Sequence, residues 1–180
     1  MYTYQMKKIL IVSATLKNNF KLANDIDKIV KDLSKTNIKK IQSHVISLEN
    51  YNLPVYTEKK FDDSINKYKE VISKLTNEFV NSDGIIICGP EYNGSLPPVI
   101  NNSIAWISTT TDYWRDAFNN KVSLIATNSG GPGMKFISTM KLQMEHLGCV
   151  VMPRSISVNK SNPLRLESVN KILEQYIKLL

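Results

Sequence analysis

The chain has 180 residues, of which 42% are hydrophobic and 22% charged, and its formal net charge at pH 7 is +7. This composition fits a soluble globular domain and excludes a wholly disordered or collagen-like chain. Two cysteines, Cys88 and Cys149, are too few for a disulfide framework or a four-thiolate zinc site. No apolar run approaches the roughly 18 residues of a membrane span. We therefore predict one cytoplasmic domain over residues 1–180, with residues 1–5 as an extension before the first strand.

The positive charge is compatible with binding to nucleic acid or another polyanion. Of the 23 cationic residues, however, only Arg115, Arg154 and Arg165 are arginines, and the others are lysines. The lysines are scattered along the chain, usually near acidic residues. This distribution favours a solvated basic surface, so we predict neither a nucleic-acid nor a membrane partner.

Strands and helices are predicted to alternate along the chain. Short apolar runs, typical of strands buried on both faces, lie at residues 9–13, 45–48, 84–89, 122–127 and 149–152. Apolar residues at helical spacing follow each run, at residues 22–33, 65–79, 100–107, 136–147 and 166–177. Pro97 and Pro98 favour the start of the third helix, and Gly148 favours the end of the fourth.

Five strands alternating with helices predict an α/β fold, a doubly wound parallel sheet with helices on both faces. Such sheets bind ligands beyond the carboxyl ends of their strands, at the point where the strand order reverses. The loops after Ser13, Gly89 and Thr127 are therefore the ones expected to carry the function.

The loop after the first strand has no glycine, which excludes a Rossmann dinucleotide fingerprint and a P-loop. It carries instead polar groups that suit one terminal phosphate, together with the N–H groups of the next helix: Ser13, Thr15, Lys17, Asn18 and Asn19. This pattern favours a mononucleotide over a dinucleotide as the tightly held ligand. Simple capping of the helix is the alternative explanation.

The loop after the third strand is stiff and polar. Asn93-Gly94 favours a tight turn with positive φ, and prolines stand at both ends of the segment. A rigid loop with exposed amides and one aromatic ring suits a planar heterocycle, although a purely structural turn before a helix is the alternative.

The segment Pro90-Glu91-Tyr92-Asn93-Gly94-Ser95-Leu96-Pro97-Pro98, followed by Asn102, Ala105, Trp106 and Ile107, resembles the signature of the NADPH-dependent FMN reductase family. Phe118, Lys121 and then Asn128-Ser129-Gly130-Gly131-Pro132-Gly133 resemble that family's second flavin loop. The resemblance extends from the first strand to about Pro153. The first loop departs from the family, because Ala14-Thr15 replaces Gly-Ser and Lys17 replaces an arginine.

The resemblance implies a flavodoxin-like, five-stranded sheet in the order 2-1-3-4-5 that binds FMN. The phosphate would be bound by Ser13, Thr15, Lys17, Asn18 and Asn19. The isoalloxazine would lie against one loop on each flank: Pro90, Glu91, Tyr92, Asn93 and Gly94 on one side, and Ser129, Gly130 and Gly131 on the other.

The resemblance also implies an enzyme that takes a hydride from NADPH or NADH at flavin N5 and passes electrons to a flavin, quinone, azo compound or similar acceptor. Related proteins are usually dimers or tetramers, so a homodimer or homotetramer is expected. Backbone amides near the flavin suffice for this chemistry. We therefore assign no catalytic side chain: Glu91 is more simply a hydrogen-bonded loop anchor or an acid at a subunit interface than a base. Cys88 and Cys149 are expected in the core, and His44 and His146 have no partners at metal-ligand spacing.

Two other hypotheses remain open. A flavodoxin-like electron carrier would bind FMN without intrinsic reductase activity, although such carriers are typically acidic. A regulatory or nucleic-acid-binding module on the same fold rests on the charge alone.

Overall fold

The computed structural model describes residues 6–36 and 40–180, so the predicted extension over residues 1–5 lies outside the described residues. The helices and strands, in chain order, are β1 (Lys7–Ser13), α1 (Asn18–Thr36), β2 (Ile41–Ser47), α2 (Phe61–Val80), β3 (Gly84–Cys88), α3 (Pro98–Thr109), β4 (Val122–Asn128), α4 (Met134–His146), β5 (Val150–Val151), β6 (Ile156–Val158) and α5 (Leu166–Leu179). Short 3-10 helices lie at Leu48–Tyr51 and Glu58–Lys60.

All neighbouring strands pair in parallel, in the order β2-β1-β3-β4-β5. The order reverses between β1 and β3, because the chain first adds β2 on one side of β1 and then adds β3 on the other. The predicted fold class and strand order are confirmed. The adjacent carboxyl ends of β1 and β3 are therefore the expected ligand edge.

Helices cover both faces of the sheet. One core layer joins alternate strand residues such as Leu10 and Ile85 to α2, α3 and α4, and the other joins Ile9 and Ile86 to α1 and α5. Strands buried on both faces need apolar residues at every position, which is why the β-branched run of β1 is recognisable in the sequence.

The fifth predicted strand is divided in the structure. β5 pairs with the start of β4 (Val122 with Val150), whereas β6 pairs with its end (Ala126 with Ile156). Pro153 lies between the two segments, and a proline has no N–H to donate to a ladder. The predicted run at residues 149–152 corresponds to β5, and β6 was not predicted. β6 brings the chain to the carboxyl end of β4, where the Ser129 amide donates to the Val158 carbonyl.

A buried lysine binds the carbonyl groups at the carboxyl end of α2. The Lys121 ammonium donates to the carbonyls of Phe79, Val80 and Ser82 at the end of that helix, while only 8% of the residue is exposed. Burial lowers the pKa of Lys121 to about 8, against the opposing charge of Asp83. Lys121 thus has a structural position far from the carboxyl ends of the strands.

Candidate cofactor site

The loops after β1, β3 and β4 enclose one cleft of about 760 Å³. This volume lies within the range of about 300–1,000 Å³ that is usual for small-molecule and cofactor sites. The lining residues come from these three loops and from two further segments: Thr15, Leu16, Lys17, Asn18, Asn19, Glu49, Pro90, Glu91, Tyr92, Asn128, Ser129, Gly130 and Lys160. The structure thus brings nine of the thirteen predicted site residues together, and Ser13, Asn93, Gly94 and Gly131 are not among the lining residues.

Ser13 stabilises the first loop through a hydrogen bond within that loop. Its side chain is fully buried, and its hydroxyl donates to the Thr15 carbonyl over 2.7 Å. α1 then begins at Asn18, so the N–H groups of its first turn have no partner within the helix. The positive end of the α1 dipole and the Lys17 ammonium therefore border the cleft, and this arrangement suits an anion.

Asn19 holds the first loop to β4. Its carboxamide Nδ2 donates to the Asn128 carbonyl over 2.9 Å, and its Oδ1 accepts from the Asn128 amide over 2.8 Å. Only 2% of Asn19 is exposed. The residue borders the cleft, but its side chain joins two loops and is not displayed to a ligand.

The loop after β3 forms the tight turn that Asn93-Gly94 predicts. Tyr92 and Ser95 exchange two backbone hydrogen bonds of 3.0 and 2.9 Å, and φ is +50° at Asn93 and +72° at Gly94. The predicted turn is confirmed. Tyr92 remains 48% exposed beside the cleft. The amides of Asn93 and Gly94 have no hydrogen-bond partner among the described residues.

Glu91 fixes the β3 loop to the β4 loop and to α4. Its amide donates to the Ser129 hydroxyl over 2.8 Å, and its carboxylate accepts from the Lys135 amide over 3.1 Å. Ser129 is held in turn by the Thr127 hydroxyl, 2.8 Å away. The Glu91 carboxylate thus lies against the first turn of α4, where the helix dipole favours a negative charge. These contacts fit the interpretation of Glu91 as a loop anchor.

Gly130 leaves open space in the wall of the cleft. A Cβ built on it would meet no atom of the described residues within 4 Å, and the same holds for Gly131. Gly133 differs, because its φ is +65° and a Cβ there would lie 2.8 Å from the Thr127 side chain. Backbone geometry and packing explain glycine at position 133. Neither of them explains glycine at position 130. Close approach of a ligand to the backbone would explain it, because a glycine leaves the backbone accessible.

Sequence reasoning missed four lining residues: Leu16, Glu49, Asn128 and Lys160. Glu49 directly follows the first residue after β2, and its carboxylate accepts from the Leu16 amide over 2.9 Å. The position of Glu49 could have been predicted, because β2 is next to β1 in the sheet and the loops at their carboxyl ends therefore lie side by side. Lys160 follows β6, so it could not be placed without that strand.

The two thiols are core groups. Cys88 is fully buried at the end of β3, and Cys149 is 8% exposed. Burial raises the pKa of the Cys88 thiol far above its usual range and that of Cys149 to about 12. Neither sulfur lines the cleft.

Across residues 6–36 and 40–180, three or more His, Cys, Asp or Glu side chains nowhere converge as a metal site would require. Over the same residues, no helix combines the length and apolar character needed to cross a membrane.

A doubly wound parallel sheet with an anion-suited cleft where its strand order reverses defines a flavodoxin-like protein. Residues 7–163 match the model of the NADPH-dependent FMN reductase family. The chain therefore belongs to that family, as its sequence motifs predict. The predicted enzyme class, an NAD(P)H-dependent oxidoreductase, is confirmed by this membership.

Individual relatives are distant. The chain is 27% identical over 116 residues to an uncharacterized protein of Mycoplasma pneumoniae and 25% identical over 125 residues to a 2-hydroxy-1,4-benzoquinone reductase of Burkholderia sp. These alignments cover 61% and 68% of this chain, and 68% and 65% of the relatives. Among solved structures, the flavoenzyme NAD(P)H:(acceptor) oxidoreductase FerB of Paracoccus denitrificans has the same fold, with a TM-score of 0.72, 20% identity and 96% coverage of each chain.

Proposed function

We propose that this protein is an FMN-dependent oxidoreductase that takes reducing equivalents from NADPH or NADH and delivers them to a flavin, quinone, azo compound or similar acceptor. The observation that carries the proposal is the convergence of the β1, β3 and β4 loops on one cleft with an anion-suited end. The names of two relatives, a benzoquinone reductase and an NAD(P)H:(acceptor) oxidoreductase, support the acceptor class.

The chemistry of the lining residues fits FMN. At one end, Lys17 and the N–H groups that open α1 would bind the single phosphate, with Thr15 and Asn18 beside them. At the other end, the Tyr92 ring and the open backbone at Gly130 would contact the isoalloxazine. Asn93 and Gly94 do not line the cleft themselves, but they directly follow the lining residue Tyr92, and their amides are not used by the turn. These amides would donate to the N5/O4 edge of the ring.

When bound, FMN supplies the redox chemistry, namely hydride uptake from NAD(P)H at N5 and delivery of one or two electrons to the acceptor. The chain's task is to orient the ring and to stabilise charge around it. Amides near Gly130 and Gly131 would favour negative charge at the N1/O2 side, where donors aimed at developing charge have the largest effect. The carboxylate of Glu91 is engaged at α4, so we assign no side-chain base.

The test is a visible absorption spectrum of the purified protein, followed by anaerobic addition of NADPH. We expect flavin absorption that NADPH bleaches, and turnover of NADPH when a quinone or free FMN is added. A colourless protein that does not take up added FMN would contradict the proposal. Bound FMN without turnover would favour the electron carrier, and salt-sensitive DNA binding without flavin would favour the nucleic-acid module.

The proposed enzyme acts as one FMN-binding domain in the cytoplasm, as a homodimer or homotetramer. Light scattering on the eluted peak of a size-exclusion column gives the mass of the assembly directly. A mass of 20.4 kDa, that of one chain, would contradict the oligomer.

A further inference from the structure

We propose that Lys160, in the turn after β6, is a second cationic ligand of the FMN phosphate. This assignment rests on the proposed function, because it concerns the same cleft. Lys160 lines the cleft together with Lys17 and Asn18, although it comes from a different part of the chain.

The sheet places this turn beside the phosphate end. β6 pairs with the last residues of β4, Thr127 with Ser157 and Asn128 with Val158. Asn128 is the residue that Asn19 ties to the first loop. The turn after β6 therefore emerges next to the start of α1.

Hydrogen bonds hold the backbone that carries Lys160. Asn159 and Asn162 exchange backbone hydrogen bonds of 3.0 and 3.2 Å, and the Asn159 side chain accepts from the Ser161 and Asn162 amides. The Asn162 side chain donates to the Ser157 carbonyl. A lysine on a preorganised turn loses less conformational entropy when it binds an anion than one on a mobile loop.

The charge in the cleft calls for a second cation. A phosphate monoester carries a charge of about −1.5 to −2 at pH 7. Lys17 supplies a single point charge and, unlike an arginine, cannot bind a phosphate in a bidentate manner. The two carboxylates in the cleft, Glu49 and Glu91, already accept from backbone amides. Among residues 6–36 and 40–180, the Lys160 ammonium has no hydrogen-bond or ion-pair partner.

Lys21 provides a matched control. It lines an adjoining cavity of about 420 Å³, which shares Asn18, Asn128 and Lys160 with the cleft. Lys21 itself does not line the cleft. Replacing Lys21 with glutamine removes the same charge from the same neighbourhood without removing a contact within the cleft.

The experiment titrates flavin-free full-length protein with FMN and with riboflavin, which lacks the phosphate, and follows the quenching of flavin fluorescence. We expect Lys160→Gln to weaken FMN binding by about fivefold to tenfold, since a charge-assisted hydrogen bond is lost from a partly solvated site. Riboflavin binding is expected to change by less than about twofold, and Lys21→Gln is expected to change binding of either flavin by less than about twofold. Lys160→Arg should restore most of the FMN affinity.

Three results would overturn the assignment. An equal loss for FMN and riboflavin would mean that Lys160 supports the cleft and does not bind phosphate. An equal loss of FMN affinity in Lys160→Gln and Lys21→Gln would mean that only the overall charge matters. Unchanged FMN affinity with a raised KM for NADPH would assign Lys160 to a donor phosphate. Wild-type protein that binds neither flavin would instead contradict the proposed function itself.

Discussion

The Asn19 side chain and the Asn128 backbone are joined by two hydrogen bonds, of 2.9 and 2.8 Å, across 109 positions of the sequence. The amide and carbonyl of Asn128 and both polar atoms of the Asn19 carboxamide thereby have hydrogen-bond partners, and Asn19 itself is buried. The pair fixes the glycine-free first loop against the end of β4, so the two sides of the proposed phosphate end keep a constant separation.

We expect Asn19→Ala to lower the free energy of unfolding by about 1–2 kcal/mol, because the partly buried amide and carbonyl of Asn128 both lose their partner. The exposed neighbour Asn18 is the control, and Asn18→Ala should change stability by less than about 0.5 kcal/mol. Urea unfolding monitored by circular dichroism measures both values. Equal stability of the two variants would contradict a bridging role for Asn19.

Gly130 and Gly133 are expected to respond in opposite ways to alanine. Gly133→Ala should cost at least about 1 kcal/mol of stability, because its φ is +65° and the new Cβ would crowd Thr127. A Cβ at Gly130 would meet no atom within 4 Å, so Gly130→Ala should unfold like the wild type. It should nevertheless weaken flavin binding, because Gly130 lines the cleft and the proposed flavin approaches its backbone. Thermal unfolding and flavin titration separate the two effects. A Gly130→Ala protein with normal flavin affinity would remove Gly130 from the site.

Asp83 is expected to contribute to the loss of stability in acid. Partial burial alone would raise the pKa of its carboxyl, but hydrogen bonds from the Lys8 amide and the Lys7 ammonium, with the charges of Lys7 and Lys121, hold this pKa below its usual range. A carboxyl with a lowered folded-state pKa stabilises the protein above its unfolded value of about 3.9, and this contribution is lost as the pH falls through the folded-state pKa.

We therefore expect Asp83→Asn to be less stable than the wild type at pH 7 and to approach it below about pH 4. Urea unfolding across this pH range measures the difference. Asp32→Asn is the control, because Asp32 pairs with Lys35 at a position where both side chains are more than 70% exposed. This substitution should change the free energy of unfolding little at any pH in the range. A constant difference between Asp83→Asn and the wild type at all pH values would show that the carboxyl does not titrate as expected.

The two thiols are expected to be inert in the native protein. Both are buried, and the raised pKa of each keeps it protonated near neutral pH. An aromatic disulfide reagent at pH 8 should detect almost no thiol in the folded protein and two per chain in guanidinium chloride. Rapid modification of Cys88 or Cys149 in the native state would contradict their placement in the core.

Features that depend on local sequence were predictable. The β-branched run of β1 predicts a buried strand, and Asn93-Gly94 predicts the turn that Tyr92 and Ser95 close. Helix α3 begins at Pro98, where the missing amide has no intrahelical partner to lose. In each case the residue type itself restricts the backbone or requires burial.

Features that depend on distant partners were not predictable. β6 has three residues and is a strand only because β4 offers it a ladder. Lys160 could not be placed in the cleft without β6. Asn19 shows the converse, because a polar residue in the right loop suggested a ligand contact, whereas its partner is a backbone segment far away in sequence. A single sequence does not show which of two polar roles such a side chain takes.

The division of the outer strand into β5 and β6 has a consequence for solubility. A long, regular strand at the border of a sheet offers unpaired amides and carbonyls on which another chain can assemble. Here Pro153 and its neighbours interrupt that border between two- and three-residue segments. The outer border of the sheet therefore presents only short, interrupted strand segments, which is one way in which natural sheets limit strand addition by another chain.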